Sequence, residues 1–235
     1  MVNKPDILAV IPARGGSKRI PLKNIKNFKG RPIISWTIEA AMNTGLFGHV
    51  LVSTDCAEIA EVAIAEGAES PFLRDATGDD YTPVSLATLH ALEQAESYYE
   101  KIFDVVVQLM ANCPLRSAGT INDMYTAFLD SQADFMMSYS RYGWLNPWWA
   151  STLDDTGTPQ FLFEDSLNSR SQDQPPLYCP SGAIWMARTS ALRQHKTFHG
   201  PNKKAFILDW REAVDIDTPE DWSMAEIIYD YMIRA

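Results

Sequence analysis

Apolar runs alternate with segments of helical periodicity along most of the 235-residue chain. The first run, Ile7 to Ile11, is continuously apolar, which is typical of a strand buried on both faces of a sheet. From Pro32 to Asn43 apolar residues recur at helical spacing, with a proline in the first turn and Gly45 near the end, so a helix is predicted here. The chain therefore begins with a buried strand and a helix, separated by a long loop.

The same alternation continues along the chain. Further strands are predicted at His49 to Ser53, at Phe103 to Leu109, near Gly182 to Ala187 and at Ala205 to Leu208, and further helices at Ala57 to Glu66, Val84 to Tyr98, Gly119 to Leu129 and from about Pro219. Strands that alternate with helices predict an α/β fold, in which helices cover both faces of a mostly parallel sheet.

The alternation breaks between Ser140 and Pro180, where tryptophans and prolines interrupt any simple periodicity. We predict a single domain over residues 1–235 with an excursion from it at about residues 140–180. Exposed aromatic residues usually pack against something. The excursion is therefore either a subunit interface or substrate lid, or a satellite cluster on the same subunit, and the sequence leaves both open.

Composition narrows the class of partner. The chain carries 20 Lys and Arg against 30 Asp and Glu, a formal net charge of −10, which disfavours a nucleic-acid or anionic-membrane binder. Three widely spaced cysteines, Cys56, Cys113 and Cys179, form no metal or redox pair, and the N-terminus resembles neither a signal peptide nor a membrane span. We predict a cytoplasmic protein with a small-molecule partner.

The loop from Ile11 to Asn24 follows the carboxyl end of the first predicted strand, where open α/β sheets place their ligands. Gly15 and Gly16 allow backbone N–H groups to approach an anion closely. Three side chains add positive charge to this loop: Arg14, Lys18 and Lys23. The pattern predicts a polyphosphate site, against the alternative of a solvated basic loop.

Charge is concentrated in this part of the chain. Seven basic residues and no acidic residue lie from Arg14 to Arg31, so the rest of the chain carries −17, the difference between −10 and +7.

Two familiar phosphate-binding loops do not fit this sequence. The order Gly16-Ser-Lys-Arg19 differs from the Walker A pattern, and the glycines do not open a helix directly as in the dinucleotide fingerprint.

Asp215 and Asp217 flank a single isoleucine near the end of the chain. On a strand or at its end, alternate residues point to one face, so both carboxylates could project into the same crevice. Two carboxylates together with phosphate oxygens suit Mg²⁺. Asp217 or Thr218 could also cap the last helix, and a solvated carboxylate pair is the alternative.

Taken together, these residues resemble the acylneuraminate cytidylyltransferases, or CMP-sialic acid synthetases. The strongest match is Ile11 to Asn24. Further motifs fall in the family order: Val52-Ser-Thr-Asp55, Phe72-Leu-Arg74, Asp79-Asp80, Asn112-Cys-Pro-Leu-Arg116, Arg170-Ser-Gln-Asp173, Gly182-Ala-Ile184 and Asp215-Ile-Asp-Thr-Pro-Glu-Asp221. The resemblance implies a Rossmann-like fold of the nucleotide-diphospho-sugar transferase type and transfer of CMP from CTP to a sugar acid with release of pyrophosphate.

The resemblance also implies roles for particular residues, which we state as expectations. Nucleotide-binding positions would be Ala13, Arg14, Gly15, Gly16, Ser17, Lys18, Lys23, Asn24, Arg74 and Asp80. Catalytic positions would be Arg14, Lys18, Lys23 and Asp217, with Mg²⁺ on Asp215 and Asp217. Sugar-binding positions would be Met110, Asn112, Arg170, Gln172, Asp173, Tyr178 and Ser181. The resemblance further implies a homodimer, with the dimerisation element at about residues 140–180.

The expected sugar pocket departs from the sialic-acid pattern. Met110 replaces a glutamine, Ser171 an arginine and Ser181 an asparagine, which removes hydrogen-bonding capacity. The stretch from Asn168 to Asp173 resembles pseudaminic acid cytidylyltransferases instead, so we predict a modified nonulosonic acid as acceptor. Two alternatives remain open at this point, a nucleotide-sugar glycosyltransferase and a non-catalytic nucleotide-binding homologue.

Overall fold

The computed structural model describes residues 5–74, 83–143 and 145–234. Its strands are β1 Ile7–Pro12, β2 Asn27–Phe28, β3 Arg31–Pro32, β4 His49–Ser53, β5 Val105–Gln108, β6 Phe135–Arg141, β7 Ser151–Leu153, β8 Pro159–Phe161, β9 Tyr178–Arg188 and β10 Lys203–Ile207. Its α-helices are α1 Ile33–Met42, α2 Ala57–Ala65, α3 Val84–Tyr99, α4 Ala118–Ser131, α5 Thr189–His195 and α6 Pro219–Met232. Short 3-10 helices lie at Lys23–Ile25, Pro147–Trp149, Glu164–Asn168 and Ser171–Asp173.

Six strands form the main sheet, in the order β10-β6-β9-β5-β1-β4. β1 pairs in parallel with β4 and β5, and β10 pairs in parallel with β6. β9 is antiparallel to both of its neighbours, β5 and β6. The predicted α/β fold with a mostly parallel sheet is therefore confirmed, and β9 is the strand that runs against the others.

The sequence pattern does not predict β6 or α5. β6 begins Phe135-Met-Met-Ser138, and methionine and serine have little preference for strands. It is nevertheless a central strand because its first four residues are buried between β9 and β10. β6 ends and β9 begins at the edge of the sheet where β1 and β4 also end. The excursion between them therefore leaves the sheet at that edge.

The alternation of side chains along β1 divides the core into two layers. Ile7, Ala9 and Ile11 belong to one apolar cluster, whereas Leu8 and Val10 belong to another. Because neighbouring side chains on a strand point to opposite faces, the two clusters lie on the two faces of the sheet. All five side chains are at most 2% exposed, as expected for a strand covered on both faces.

A third apolar cluster joins α6 to the segment that follows the basic loop, the name used below for the stretch from Ile11 to Asn24. Phe28 is completely buried at its centre, with its ring edge-to-face with Trp36, Trp222 and Tyr229 at centroid distances of 6.3, 5.6 and 6.0 Å. The Trp36 indole N–H also donates to the Phe28 carbonyl oxygen at 3.0 Å. These contacts fix the segment just after the basic loop against the last helix, α6.

Over the residues that the structure describes, none of the helices is both long and apolar enough to cross a lipid bilayer.

We expect Phe28→Ala to lower the free energy of unfolding by about 3–5 kcal/mol, because it removes a buried aromatic ring and leaves a cavity. Urea denaturation followed by circular dichroism measures this change. The control is Ile102→Ala, whose side chain is 71% exposed and whose loss should change stability by less than about 0.5 kcal/mol. A loss below about 1 kcal/mol for Phe28→Ala would contradict the role given to this cluster.

Candidate active site

The basic loop is attached to the carboxyl ends of β1 and β4. The Ala13 N–H donates to the Ser53 carbonyl oxygen at 2.9 Å, and the Gly15 N–H donates to the Asp55 carboxylate at 2.8 Å. A Cβ atom on Gly15 would lie only 2.9 Å from the Cβ of Cys56. The loop can therefore approach the start of α2 this closely only because residue 15 has no side chain.

Inside the loop, a buried asparagine holds the chain in place. The Asn24 amide N–H donates to the Arg14 carbonyl oxygen at 3.0 Å, and Asn24 is 6% exposed. The Ser17 N–H donates to the Gly15 carbonyl oxygen at 3.0 Å. Leu22 adopts a left-handed backbone conformation, with φ 48°, just before the 3-10 helix that carries Lys23. The loop is thus closed by its own hydrogen bonds.

Arg74 joins the loop from the far side of β4. Its N–H donates to the Thr54 carbonyl oxygen at 2.8 Å. Burial lowers the pKa of the Arg74 guanidinium, the nearby Asp55 opposes this effect, and the charge of Arg14 adds to it. The shift places Arg14, Asp55 and Arg74 within electrostatic reach of one another. Two expected nucleotide-binding arginines are therefore close enough to affect each other's charge at the ends of β1 and β4.

The two expected metal carboxylates lie in an extended segment just before α6, and not on a strand. Ile216, between them, is completely buried in the third apolar cluster, and its N–H donates to the Asn112 carbonyl oxygen at 3.0 Å. Asp215 is solvent-accessible and Asp217 is partly so. The predicted alternation, in which two accessible carboxylates flank a buried residue, is therefore present, although this segment is not a strand.

Two cationic side chains of the basic loop bind the carboxylate of Asp217. The Lys23 ammonium donates to Asp217 Oδ1 at 2.8 Å and to the Ile216 carbonyl oxygen at 2.6 Å, while the Arg19 guanidinium donates to Asp217 Oδ2 at 2.7 Å. Burial alone would raise the pKa of Asp217, but the hydrogen bond and charge of Lys23 and the charge of Arg19 lower it. Arg19 is a site residue that the sequence argument missed, since only the fold shows which loop cation reaches residue 217.

Asp215 has the opposite electrostatic environment. Desolvation by the surrounding protein, followed by the charge of Asp217, raises its pKa to about 6, and Lys23 only partly offsets this. Its carboxylate accepts a short hydrogen bond from the side-chain amide of Asn112. The same amide also donates to the Ile216 carbonyl oxygen at 3.2 Å and to Asp217 Oδ1 at 3.4 Å. Asn112, expected to contact the sugar, is thus bound to residues 215–217, the carboxylate segment.

Met110, another expected sugar residue, also lies close to Asp215. A Cβ atom on Gly182 would lie 3.2 Å from Met110 Cγ and 3.3 Å from Asp215 Oδ2. Met110, Gly182 and Asp215 therefore form one wall. The neighbouring Ser181 is 7% exposed, and its hydroxyl donates to the Ala213 carbonyl oxygen at 3.2 Å, so its side chain holds the backbone together.

Arg116 binds the backbone of this wall. Its guanidinium is buried and donates to the Met110 carbonyl oxygen at 2.8 Å, and it makes shorter bonds to the Ala183 carbonyl oxygen and the Thr37 hydroxyl. Burial lowers its pKa to about 10. Because this one side chain ties α1, the Met110 turn and β9 together, we assign it a structural role at the base of the site.

The remaining expected sugar residues lie on the excursion. Arg170 and Asp173 form an exposed ion pair at 2.7 Å, Gln172 is exposed, and Tyr178 is 42% exposed at the start of β9. Asp80 lies outside the residues that the structure describes.

Asp215 and Asp217 form the carboxylate pair of the candidate site. Within residues 5–74, 83–143 and 145–234, no set of three or more His, Cys, Asp or Glu side chains is placed to hold a metal ion. The candidate site therefore consists of a basic loop on one side and a two-carboxylate segment on the other, joined by Lys23 and Arg19.

Comparison with known proteins identifies relatives along almost the whole chain. A family model described as cytidylyltransferase matches residues 8–201. The chain is 35% identical over 224 residues to a pseudaminic acid cytidylyltransferase of Campylobacter jejuni, covering 94% of this chain and 95% of that protein. It is 34% identical over 227 residues to a CMP-N,N'-diacetyllegionaminic acid synthase of Legionella pneumophila, covering 94% of each.

Two solved structures share the fold. CMP:2-keto-3-deoxy-manno-octonic acid synthetase complexed with CTP superposes with a TM-score of 0.70 at 16% identity, over 97% of this chain and 99% of that one. A 4-diphosphocytidyl-2C-methyl-D-erythritol synthase from Anaerococcus prevotii superposes with a TM-score of 0.65 at 14% identity, over 97% and 100%. At these identities the likeness concerns the fold alone.

We expect Asp215→Asn to stabilise the metal-free protein above about pH 6. A folded-state carboxyl pKa raised from 3.8 to about 6 means that ionised Asp215 disfavours folding, so the wild type loses stability as the pH rises between these values. Because the carboxylate is accessible and its field is screened, the expected gain is only about 1 kcal/mol. For a domain of this size, that raises Tm by roughly 2–4 °C.

Scanning fluorimetry in EDTA between pH 4 and pH 8 measures this difference in Tm. The advantage of Asp215→Asn should be small near pH 4, where the folded-state carboxyl is protonated, and should approach its full value above about pH 7, where that carboxyl is ionised. A variant that is less stable than the wild type at pH 7.5 would show that the Asp215 charge is compensated in the folded protein.

Proposed function

The chain belongs to the cytidylyltransferase family, and from this premise we propose that it transfers CMP from CTP to the anomeric hydroxyl of a nonulosonic sugar acid, releasing pyrophosphate. It is a CTP-dependent nucleotidyltransferase. The observation that carries the proposal is the contact of Lys23 with Asp217, which brings a polyphosphate-type loop and a carboxylate pair into one site.

In the proposed reaction, the sugar hydroxyl attacks the α-phosphorus of CTP in line with the departing pyrophosphate. Negative charge then builds on the transferred group and on the leaving group, so positioning and electrostatics supply most of the acceleration. Arg14, Lys18 and Lys23 would stabilise the pyrophosphate, and the backbone at Gly15 and Gly16 would lie against the phosphates. Asn24 and Arg74 would lie near the ribose and cytosine.

The carboxylate segment suits a magnesium ion. Mg²⁺ prefers oxygen ligands, keeps several waters and commonly binds through one or two carboxylates together with substrate phosphates. Asp215 is accessible, carries a charge that its neighbours leave largely uncompensated and lies beside Asp217. These two residues would hold the ion. When bound, it would supply Lewis-acid stabilisation of phosphate oxygens.

For the acceptor we propose pseudaminic acid, or a closely related diamino nonulosonic acid, in preference to N-acetylneuraminate. The two relatives named above carry pseudaminic acid and N,N'-diacetyllegionaminic acid in their names. Met110, in the wall beside Asp215, cannot make the hydrogen bonds of an amide. On the excursion, Arg170, Gln172, Asp173 and Tyr178 would complete the sugar pocket.

We also propose that the protein is a cytoplasmic homodimer and a single domain, with the excursion at residues 140–180 as the dimerisation element. Part of the excursion packs on itself, since Trp148 lies edge-to-face with Phe163 at 5.2 Å. Other apolar side chains there remain exposed: Leu145, Leu153, Leu162 and Leu167. Such a patch supports a subunit interface. Three unpaired cysteines support a reducing compartment.

The proposed reaction is tested by following pyrophosphate release with CTP, Mg²⁺ and a panel of sugar acids: pseudaminic acid, N,N'-diacetyllegionaminic acid and N-acetylneuraminate. We expect release with pseudaminic acid and a kcat/KM at least tenfold lower with N-acetylneuraminate. Lys23→Ala should lower kcat/KM by at least about 100-fold because a cation facing the leaving group is lost. The matched control is Lys26→Ala, a nearby lysine that stacks on Trp222 at 4.7 Å.

No release with any sugar acid would refute the proposed reaction. Efficient turnover of N-acetylneuraminate together with rejection of pseudaminic acid would refute only the acceptor. Full activity of Lys23→Ala would remove this lysine from the catalytic set.

The dimer is tested by light scattering coupled to size-exclusion chromatography. We expect a mass about twice the 26.4 kDa of one chain. Leu162→Glu should shift the equilibrium toward monomer because it places a charge in the proposed apolar interface. Ile102→Glu, at a 71% exposed position outside the excursion, should leave the mass unchanged. A fully active wild-type monomer would contradict the proposal.

A further inference from the structure

Asn112 combines burial with an unusual set of partners. The residue is 5% exposed, and its side-chain nitrogen faces three acceptors at once, the carboxylates of Asp215 and Asp217 and the carbonyl oxygen of Ile216. Carboxylates and carbonyls can only accept hydrogen bonds. The NH₂ end of the amide must therefore face the carboxylate segment, and its oxygen faces away.

The backbone of Asn112 reinforces this contact. Its carbonyl oxygen accepts from the Ile216 N–H at 3.0 Å, while its side chain donates to the Ile216 carbonyl oxygen at 3.2 Å. Both polar backbone groups of Ile216 are therefore bound by one residue. Since no strand pairing holds this segment, Asn112 takes the place of a neighbouring strand and fixes the positions of the flanking carboxylates.

The amide also suits two neighbouring negative charges. An uncharged donor can bond both carboxylates without adding a positive charge that would compete with a bound cation. The side-chain amide oxygen of Asn112, Oδ1, is buried and has no hydrogen-bond partner among the described residues. That oxygen is shielded from solvent, so in this structure the side chain offers no exposed group to a sugar.

On these grounds, and resting on the proposed cytidylyltransferase reaction, we propose that Asn112 is a positioning residue for the carboxylate pair and not a sugar ligand. It holds the segment that carries Asp215 and Asp217 in place, so that both carboxylates would be available to a divalent cation. Removing its donors should therefore weaken cation binding and slow turnover, and should leave recognition of the sugar unchanged.

The test compares wild type, Asn112→Ala and Asn112→Thr, the last of which keeps one donor. Mn²⁺ affinity is measured by electron paramagnetic resonance, with the non-hydrolysable analogue cytidine 5'-(α,β-methylene)triphosphate at saturation. We expect Asn112→Ala to weaken Mn²⁺ binding about tenfold, a change of ~1.4 kcal/mol. Asn112→Thr should lie between the other two, and KM for the sugar acid should stay within twofold for both variants.

Asn122→Ala is the matched control. Asn122 lies on α4, donates its amide to the Thr44 carbonyl oxygen at 3.4 Å and also has a buried side-chain oxygen without a partner. Its loss should change the melting temperature while leaving Mn²⁺ binding unchanged. If Asn112→Ala does not fold, the Asn112→Thr variant carries the comparison.

Two outcomes would overturn the inference. A raised sugar KM with unchanged Mn²⁺ affinity would make Asn112 a sugar ligand. A lower melting temperature with both constants unchanged would make its role purely structural. Failure of the proposed function looks different, because the wild type would then release no pyrophosphate with any sugar acid, whereas the Mn²⁺ comparison needs no turnover.

Discussion

One partly buried ammonium group joins the two halves of the candidate site. Lys23 has a side chain only 12% exposed, and it binds the backbone at Ile216 and the carboxylate of Asp217. A buried cation is costly unless it is paired, and a pair of neighbouring carboxylates is costly unless a cation lies close by. Each half of the site therefore stabilises the other, and the path of the basic loop and the position of α6 both depend on this contact.

The basic residues of this acidic chain are concentrated in one segment. A chain of −10 with seven basic residues from Arg14 to Arg31 separates its charges instead of mixing them. Several of the seven make contacts within the protein. Lys23 and Arg19 bind Asp217, Lys26 stacks on Trp222, Lys29 pairs with Asp230, and Arg31 pairs with Glu39 of α1 and with Glu66 just after α2. The basic stretch thus binds other parts of the protein as well as contributing to the proposed phosphate site.

The sequence was sufficient for the local features of the site but not for its contacts. The buried first strand, the glycine-rich loop and the alternation around Ile216 all follow from neighbouring residues, and the structure contains each of them. The reversed direction of β9, the pairing of Arg19 and the partners of Asn112 do not. They join residues about 80 to 200 positions apart, and side-chain periodicity carries no information on which distant segments meet.

The position of the carboxylates next to α6 affects how the protein is made. Asp217 immediately precedes the helix cap Thr218, and its own N–H donates to Asp221 in the first turn at 3.0 Å. On the ribosome, β1 and the basic loop emerge early, but their partners at residues 215–217 come almost two hundred residues later. The nascent chain therefore cannot assemble the proposed cation and nucleotide site until α6 is synthesised and packs on Phe28. In this proposal, competence to bind substrate becomes a late event in biosynthesis, coupled to the docking of α6.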